Sequence, residues 1–496
     1  MKYLSKSLLG GIALAVFVSP AFARDITIDL AGEPSSLDPH MQWNPDSYYV
    51  YRNIFDNLVT RNNAGEIVPQ IATDWEQKSD TELLLTIREG VTFHDGSALT
   101  PEDVVYSVKR ITNPDFGSPQ LGQFNQITDA KVVGDNQVSL TTAGAYPALM
   151  AQLVKLSIVP QKVVEEVGDE AFNTKPIGSG PYSFDNWKRG VSVTLKQNED
   201  YWGAAGPFDT AIFRAVPDAA TRVADLQAGT ADLVVSIDAD AGAQLSSNPS
   251  VKVLSAPTER VGYVGLNLDK PPFNDPAMRE AASLAIDRLG ITEGLLQAGE
   301  VPMAQMASPA HFGYDPGIAL FEYDLEKAKE ITAANPDLAS TPAVLATAPV
   351  FDQRIVQAIQ QMLNDAGFNV SISMTDMPTY LNIVRSDPSE NSELSFGRWS
   401  CACQDADGIT YPTLHSDSAW SRVNVPEIDV LLEEARTSLD PEVRRAAYSK
   451  VHQMVRENHY LLPLYQAAVL YGASADLEFE PTANESMFLN RMSIAN

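Results

Sequence analysis

Segments with the two-residue period of a strand and segments with the 3.6-residue period of a helix interleave along this whole chain. No Pro/Gly/Ser-rich tether, short repeat or low-complexity tract separates them. Any domains therefore have to be joined by ordinary strands rather than by a flexible linker. Residues 83–87 read as a strand, followed by Val91-Thr92-Phe93 and the turn Asp95-Gly96. Thr100-Pro101-Glu102-Asp103 starts a helix, with a Thr cap, Pro in the first turn and acids at the positive end of the dipole. Val104, Val105, Val108 and Ile111 recur at helical spacing as its buried stripe. Residues 191–195 alternate as a strand. Asp275-Pro276 starts a helix with Ala281, Leu284, Ala285 and Ile286 apolar, and Ile428, Leu431, Leu432 and Ala435 mark another. Asp440-Pro441-Glu442 starts the next, which buries Ala447, Val451, Met454 and Val455. The pattern is mixed α/β with many short strands, without the regular βα alternation of a barrel.

The N-terminus carries a different signal. Lys2 and Lys6 precede an apolar run over residues 8–18, Ser19-Pro20 breaks it, and Ala21-Phe22-Ala23 is a small-x-small cleavage site. These are the three parts of a secretory signal peptide. The run is shorter than the roughly 20 residues a bilayer span needs. Cleavage after Ala23 is expected, and no cysteine lies near that site to carry a lipid, which points to a Gram-negative periplasm. The remaining length suits two or three domains of about 100–200 residues each. A hydrophobic content of 44% supplies a large core. Removing the leader takes two lysines and no acids from a formal charge of −29, leaving −31. Such a chain has no general basic field for nucleic acid or anionic lipid, and the excess acid serves solubility.

Local motifs for chemistry are missing. The six histidines, His40, His94, His311, His415, His452 and His459, form neither HExxH nor His-x-His. No metal site, cofactor or catalytic residue is assigned on local spacing. GxSxG, the P-loop and GxGxxG do not occur. Gly178-Ser179-Gly180 is followed at once by Pro181, which suits a tight turn rather than a phosphate cradle. An enzyme is not expected, with a secreted hydrolase of peptides or glycans as the alternative class. The two cysteines, Cys401 and Cys403, are too few for a disulfide-rich scaffold. They leave three readings: a small disulfide, a soft-metal pair with His415 nearby, or buried thiols.

Three longer segments carry more. Residues 71–110, IATDWEQKSDTELLLTIREGVTFHDGSALTPEDVVYSVKR, contain A-x-x-W, R-x-G-V-x-F-H-D-G and T-x-x-D-V in order. Residues 176–203 read PIGSGPYSFDNWKRGVSVTLKQNEDYWG, and residues 263–288 read YVGLNLDKPPFNDPAMREAASLAIDR. With weaker matches near Asp38-Pro39 and Trp399, the chain resembles the family-5 extracytoplasmic solute-binding proteins of dipeptide, oligopeptide and nickel ABC importers. These motifs are mainly scaffold. Asp95 is expected to satisfy backbone donors in a turn, Gly178 and Gly180 to take positive φ, and Trp187, Tyr201 and Trp202 to pack. The resemblance implies an α/β, bilobed periplasmic-binding-protein fold with an extra third domain. Residues 24–55, 205–258 and 470–496 would form a discontinuous first lobe, 56–204 the extra domain and 259–469 the second lobe. Ligand would bind between lobes that close by hinge motion. The implied partners are a small-molecule ligand and the permease and ATPase of an ABC importer, with no nucleic acid and a monomeric receptor. A peptide or amino-acid-derived solute is the first expectation; an opine, oligosaccharide, haem or nickel chelate are the alternatives.

In peptide-binding members of that family, a Gly-Trp-x-x-Asp strand sets its Asp against the ligand's α-amino group. Here the stretch reads Gly397-Arg398-Trp399-Ser400-Cys401-Ala402, so Ala402 stands at the Asp position. Either Asp405 or Asp407 replaces the carboxylate, or the ligand lacks a free amino terminus. Arg398 is a candidate for a ligand anion, or for a salt bridge to one of those aspartates. Trp399 offers an apolar wall and a face for a cation. The resemblance adds Trp43, Asn44 and Tyr48 from the first lobe, and Tyr263 and Asn267 from the strand that enters the second. Arg354 reads as a solvated helix charge before it reads as a ligand contact.

Overall fold

The computed structural model describes residues 24–42 and 44–495. The leader and Trp43, with the expectations placed on them, lie outside the described residues. The helix starts form as their caps dictate. Thr100 and Asp103 make a reciprocal capping box at Pro101–Thr112. The Asp275 side chain accepts from Ala277 and Met278 at Pro276–Ala285, and that of Asp440 from Glu442 at Pro441–Asn458.

One large sheet organises the chain. Its order is Asn369–Met374, Pro342–Thr347, Leu394–Trp399, Val251–Leu266, Leu461–Ser474, Leu233–Ile237, Asp25–Leu30, Thr210–Ala215, Ser192–Gln197 and Tyr182–Lys188. Two members are long: Val251–Leu266, the first crossing strand, and Leu461–Ser474, the second. They run antiparallel from Val251↔Ser474 to Gly265↔Leu461, and the register shifts between Pro257 and Val261 and again between Gly262 and Tyr263. Such irregularities bend a strand pair and increase its twist. One core lies on each side of the bend. Ile26, Tyr49, Phe213 and Tyr471 belong to the first, and Phe273, Ile355, Phe396 and Leu464 to the second.

A separate four-stranded sheet joins Ala72–Ser79, Glu82–Ile87, Gln137–Thr142 and Ile127–Gly134. Helix Pro101–Thr112 covers it with Val104, Val108 and Ile111 of its stripe fully buried, while Val105, expected with them, is half-buried. Tyr182–Lys188 and Ser192–Gln197, which the sequence reading grouped with residues 56–204, instead extend the edge of the large sheet through Thr210–Ala215.

The family motifs interlock. His94 N donates to Gly178 O at 2.8 Å. Gly178 N donates to His94 Nδ1 at 3.3 Å, which leaves the ring proton on Nε2, 3.0 Å from Gly180 O. Asp95 accepts from Ser97 N, and Gly96 takes φ +83°. Gly178 and Gly180 correct the expectation made for them. Neither takes a positive φ; a Cβ at Gly178 would stand 2.1 Å from Ile54 O, and one at Gly180 2.6 Å from Asn53 O. Glycine is needed there for close backbone approach.

Asp56 holds this junction. Its carboxylate is fully buried and accepts from Gln70 (2.7 Å), Trp202 (2.8 Å), Tyr201 (2.9 Å) and Ser179 (3.0 Å). Burial pushes it up to about 6, against the pull of those four donors. Trp202 and Tyr201 are therefore hydrogen-bonded anchors as well as packing groups. Asp56→Ala leaves these four donors, one buried and three half-buried, without their shared acceptor and is expected to cost about 4 kcal/mol or more; urea unfolding followed by tryptophan fluorescence measures it, with Ser183→Ala as a neutral control.

Candidate functional site

The strand Leu394–Trp399 pairs with the first crossing strand, Val261 opposite Trp399 and Tyr263 opposite Gly397. Beyond Trp399 the chain turns through a short loop and enters helix Asp407–Leu414. A disulfide joins Cys401 to Cys403 across Cα atoms 5.0 Å apart, which resolves the three readings of this pair. Facing the loop stands the segment around Leu149–Leu153, with Tyr146, Gln152 and Lys155. The cleft between them encloses a 330 Å³ cavity, which Ser400, Ala402, Asp407, Tyr411 and Arg436 line from the loop side.

Trp399 is fixed within it. Its Nε1 donates to Gly408 O at 3.0 Å, and its ring meets Trp420 edge to face, with centroids 5.1 Å apart. Trp399 also borders a smaller, aromatic cavity of 140 Å³ lined by Tyr263, Phe351, Tyr380 and Trp420. The indole thus separates a polar compartment from an apolar one.

The polar compartment holds both signs of charge. Asp407 Oδ1 lies 3.6 Å from Arg436 Nε, too far for a good hydrogen bond. Burial pushes Asp407 up to about 6, opposed by Arg436. The Arg436 guanidinium lies 3.9 Å over the Tyr411 ring. Lys155 donates to Gln123 Oε1, and burial lowers it to about 7, opposed by Glu259. Gln152 donates to Tyr146 Oη at 3.3 Å, and its buried Oε1 has no partner. A buried acceptor of this kind is costly unless a ligand or water supplies a donor.

The two candidate acids separate. Asp405 turns away from this cleft toward the space on the other side of the loop, and its Oδ1 accepts from Arg444 at 2.7 Å and from Asp407 N at 3.0 Å. Asp407 alone presents its carboxylate to the cleft. Arg398 is exposed beside the aromatic cavity, 5.9 Å from the Phe351 ring. Among the described residues it makes no ion pair, since Asp405 and Asp407 pair with Arg444 and Arg436 instead.

Other expected contacts move into the scaffold. Asn44 caps helix Pro45–Ile54, accepting from Ser47 N and donating to Ser35 Oγ, both at 2.9 Å. Tyr48, on the next turn of that helix, is buried in the first core against Tyr49 and borders neither cavity. Asn267 is buried and spent on Pro388 O at 2.8 Å and Asp269 N at 3.2 Å. Tyr263 does reach the aromatic cavity. Arg354 pairs on the surface with Asp352 at 2.7 Å, as its solvated reading expects. Lys155, Gln152 and Tyr146 were not singled out from sequence. One signal existed: residues 148–160, ALMAQLVKLSIVP, hold a lone lysine in an otherwise apolar run.

Below the cleft, the register break of the first crossing strand holds Glu259 and Arg260. Arg260 pairs with Glu485 at 2.9 Å, and Tyr49 Oη donates to Glu485 at 3.4 Å. Burial, reinforced by Glu485, pushes Glu259 up to about 8 from an ordinary 4.5, against Arg260 and Lys155. A carboxyl raised on folding contributes stability in its protonated form. That contribution is complete below pH 4.5 and is lost as pH rises through 8. Glu259→Gln, which cannot ionise, is expected to match the wild type near pH 5 and to exceed it by roughly 1–3 kcal/mol at pH 8, as read by calorimetric melting across that range.

Among the described residues no helix is long and apolar enough to cross a membrane, and no group of three or more His, Cys, Asp or Glu could hold a metal ion. Residues 66–421 match the bacterial extracellular solute-binding proteins, family 5 (middle). Heme-binding protein A of Haemophilus influenzae is 26% identical over 470 residues, covering 88% of this chain and 85% of its own. Glutathione-binding protein GsiB of Salmonella typhi is 25% identical over 484 residues, covering 94% of each chain. The fold matches that of HbpA2 from Haemophilus parasuis with a TM-score of 0.86, at 20% identity and over 95% of this chain and 100% of that one. It matches the periplasmic binding protein DppA from Helicobacter pylori, solved with the peptide STSA, with a TM-score of 0.81, at 22% identity and over 96% and 99% of the two chains. With the fold these structures share, the match over residues 66–421 shows that the chain belongs to the family-5 bacterial extracellular solute-binding proteins.

Proposed function

We propose that this chain is a monomeric periplasmic receptor that captures a peptide or similar amino-acid-derived solute and delivers it to the permease and ATPase of an ABC importer. The leader, cleaved after Ala23 without a lipid anchor, exports it. Residues 24–55, 205–258 and 470–496 act as one lobe, extended by the edge strands Tyr182–Lys188 and Ser192–Gln197, with the rest of 56–204 packed beside it and 259–469 as the other. They hinge where the crossing strands change register. The receptor binds its solute without transforming it.

The observation that carries this reading is the pairing of charge with an aromatic wall in one cleft. Lys155 and Arg436 suit a carboxylate, Asp407 suits an ammonium or amide hydrogen, and Trp399 supplies the apolar face. A relative that bears the name of a glutathione-binding protein supports an amino-acid-derived solute. Ala402, standing where a carboxylate would meet an α-amino group, favours a second reading: an anionic amino-acid derivative without a free amino terminus, such as an opine.

Calorimetric titration of ligand-stripped protein with di- to hexapeptides, glutathione and their N-acetylated forms separates the two. Free peptides binding better than acetylated ones supports the first reading, and the reverse supports the second. Trp399→Ala is expected to weaken binding of either by about 10- to 100-fold, as loss of a buried aromatic anchor does. A full set of titrations without heat removes the amino-acid-derived solute and leaves the family assignment standing.

A further inference from the structure

On the far side of the disulfide loop lies a second space between the two halves. It is a 530 Å³ cavity, walled by Arg61 and Met150 on one side and by His311, Gln404 and Arg445 on the other. Two of its side chains are buried and incompletely bonded. His311 is 4% exposed. Its Nδ1 accepts from Ser308 N at 3.2 Å, so its proton sits on Nε2, which has no partner. Gln404 is 5% exposed, takes φ +55°, and its Oε1 has no partner. Two residues of the lining thus carry a buried donor and a buried acceptor without partners, each costly if left unmet.

The surrounding charge is positive. Arg444 is spent on Asp405 at 2.7 Å. Glu66, the other acid here, is exposed and held by Asn62 at 2.8 Å. Arg61 bridges the halves by donating to Cys403 O, donates also to Gly65 O, and keeps a buried Nε without a partner. Arg445 stands exposed at the rim, 4.3 Å from the Phe312 ring and with Glu442 at 3.7 Å. Asp405 and Glu66 also border the space, but Asp405 pairs with Arg444 and Glu66 with Asn62, so among the described residues Arg61 makes no ion pair and Arg445 reaches only Glu442.

We propose that this cavity is a second solute site, distinct from the Trp399 cleft, that takes a small hydroxycarboxylate. The carboxylate is held by Arg61 and Arg445. A hydroxyl accepts from His311 Nε2 and donates to Gln404 Oε1, which meets both orphaned groups with one atom. Because its walls come from both halves, filling it favours the closed arrangement.

The test is calorimetric titration of ligand-stripped protein with D-gluconate and, separately, inorganic phosphate. Gluconate is expected to bind, with His311→Ala and Arg61→Gln each weakening it about tenfold or more, the worth of one charge-assisted contact, and Trp399→Ala leaving it unchanged. Arg445→Ala, at the exposed rim, carries the test if either buried variant fails to fold. Three outcomes overturn the proposal: no binding of gluconate, as for a cavity filled by water alone; binding lost in Trp399→Ala but kept in the His311 and Arg61 variants; or binding of phosphate with no binding of gluconate.

Discussion

The pairing of Val251–Leu266 with Leu461–Ser474 carries the whole arrangement. Every strand of the second core joins the large sheet through this pair, and every strand of the first core joins from its other side. The two register shifts fall at Thr258–Arg260 and at Gly262, where the backbone has to bend. The bend places buried charge in its own path: Glu259 and Glu485 share Arg260, and Lys155 approaches from the facing wall. Buried charges of both signs add little net stability but penalise any arrangement that separates them. In the proposed reading the lobes hinge at this point, and the buried charge would restrict their relative positions.

The loop after Trp399 converts hinge position into binding chemistry. Its disulfide packs against Ala151 and Ile67 of the facing wall, and Arg61 reaches across to Cys403 O. Gly408, in the first turn of the following helix, has no room for a side chain, since a Cβ there would stand 2.3 Å from Cys401 Sγ. One short segment thereby fixes the Trp399 indole, aims Asp407 into the cleft, turns Asp405 away to Arg444, and divides two interlobe cavities.

Much of the fold was legible in the chain. The Thr100 and Asp440 caps, the Val104–Val108–Ile111 stripe and the three ordered motifs each depend on neighbours within a few residues, where sequence spacing and spatial spacing agree. Trp399 and Tyr263 border cavities, as expected of residues whose register a family strand fixes. Asn44 and Asn267 bond backbone groups, and a polar side chain beside a cleft segment looks the same in sequence whether it meets a ligand or bonds its own backbone. Gly178 and Gly180 were assigned the wrong reason, since close approach to Ile54 is a long-range fact. Lys155, Gln152 and Tyr146 lie some 250 residues from Trp399, and no local rule links them to it. The different settings of Asp405 and Asp407 depend on Arg444 and Arg436, again distant in sequence.

The central claim is that the cleft around Trp399 closes on a single small molecule bearing carboxylate and nitrogen groups. Native mass spectrometry of the protein as purified, followed by denaturation and identification of what is released, addresses it directly. The account predicts one such solute per chain, retained by the wild type and lost from Trp399→Ala. A wild-type protein that carries no small molecule and takes none up from a periplasmic extract, or a bound solute indifferent to Trp399, would contradict it.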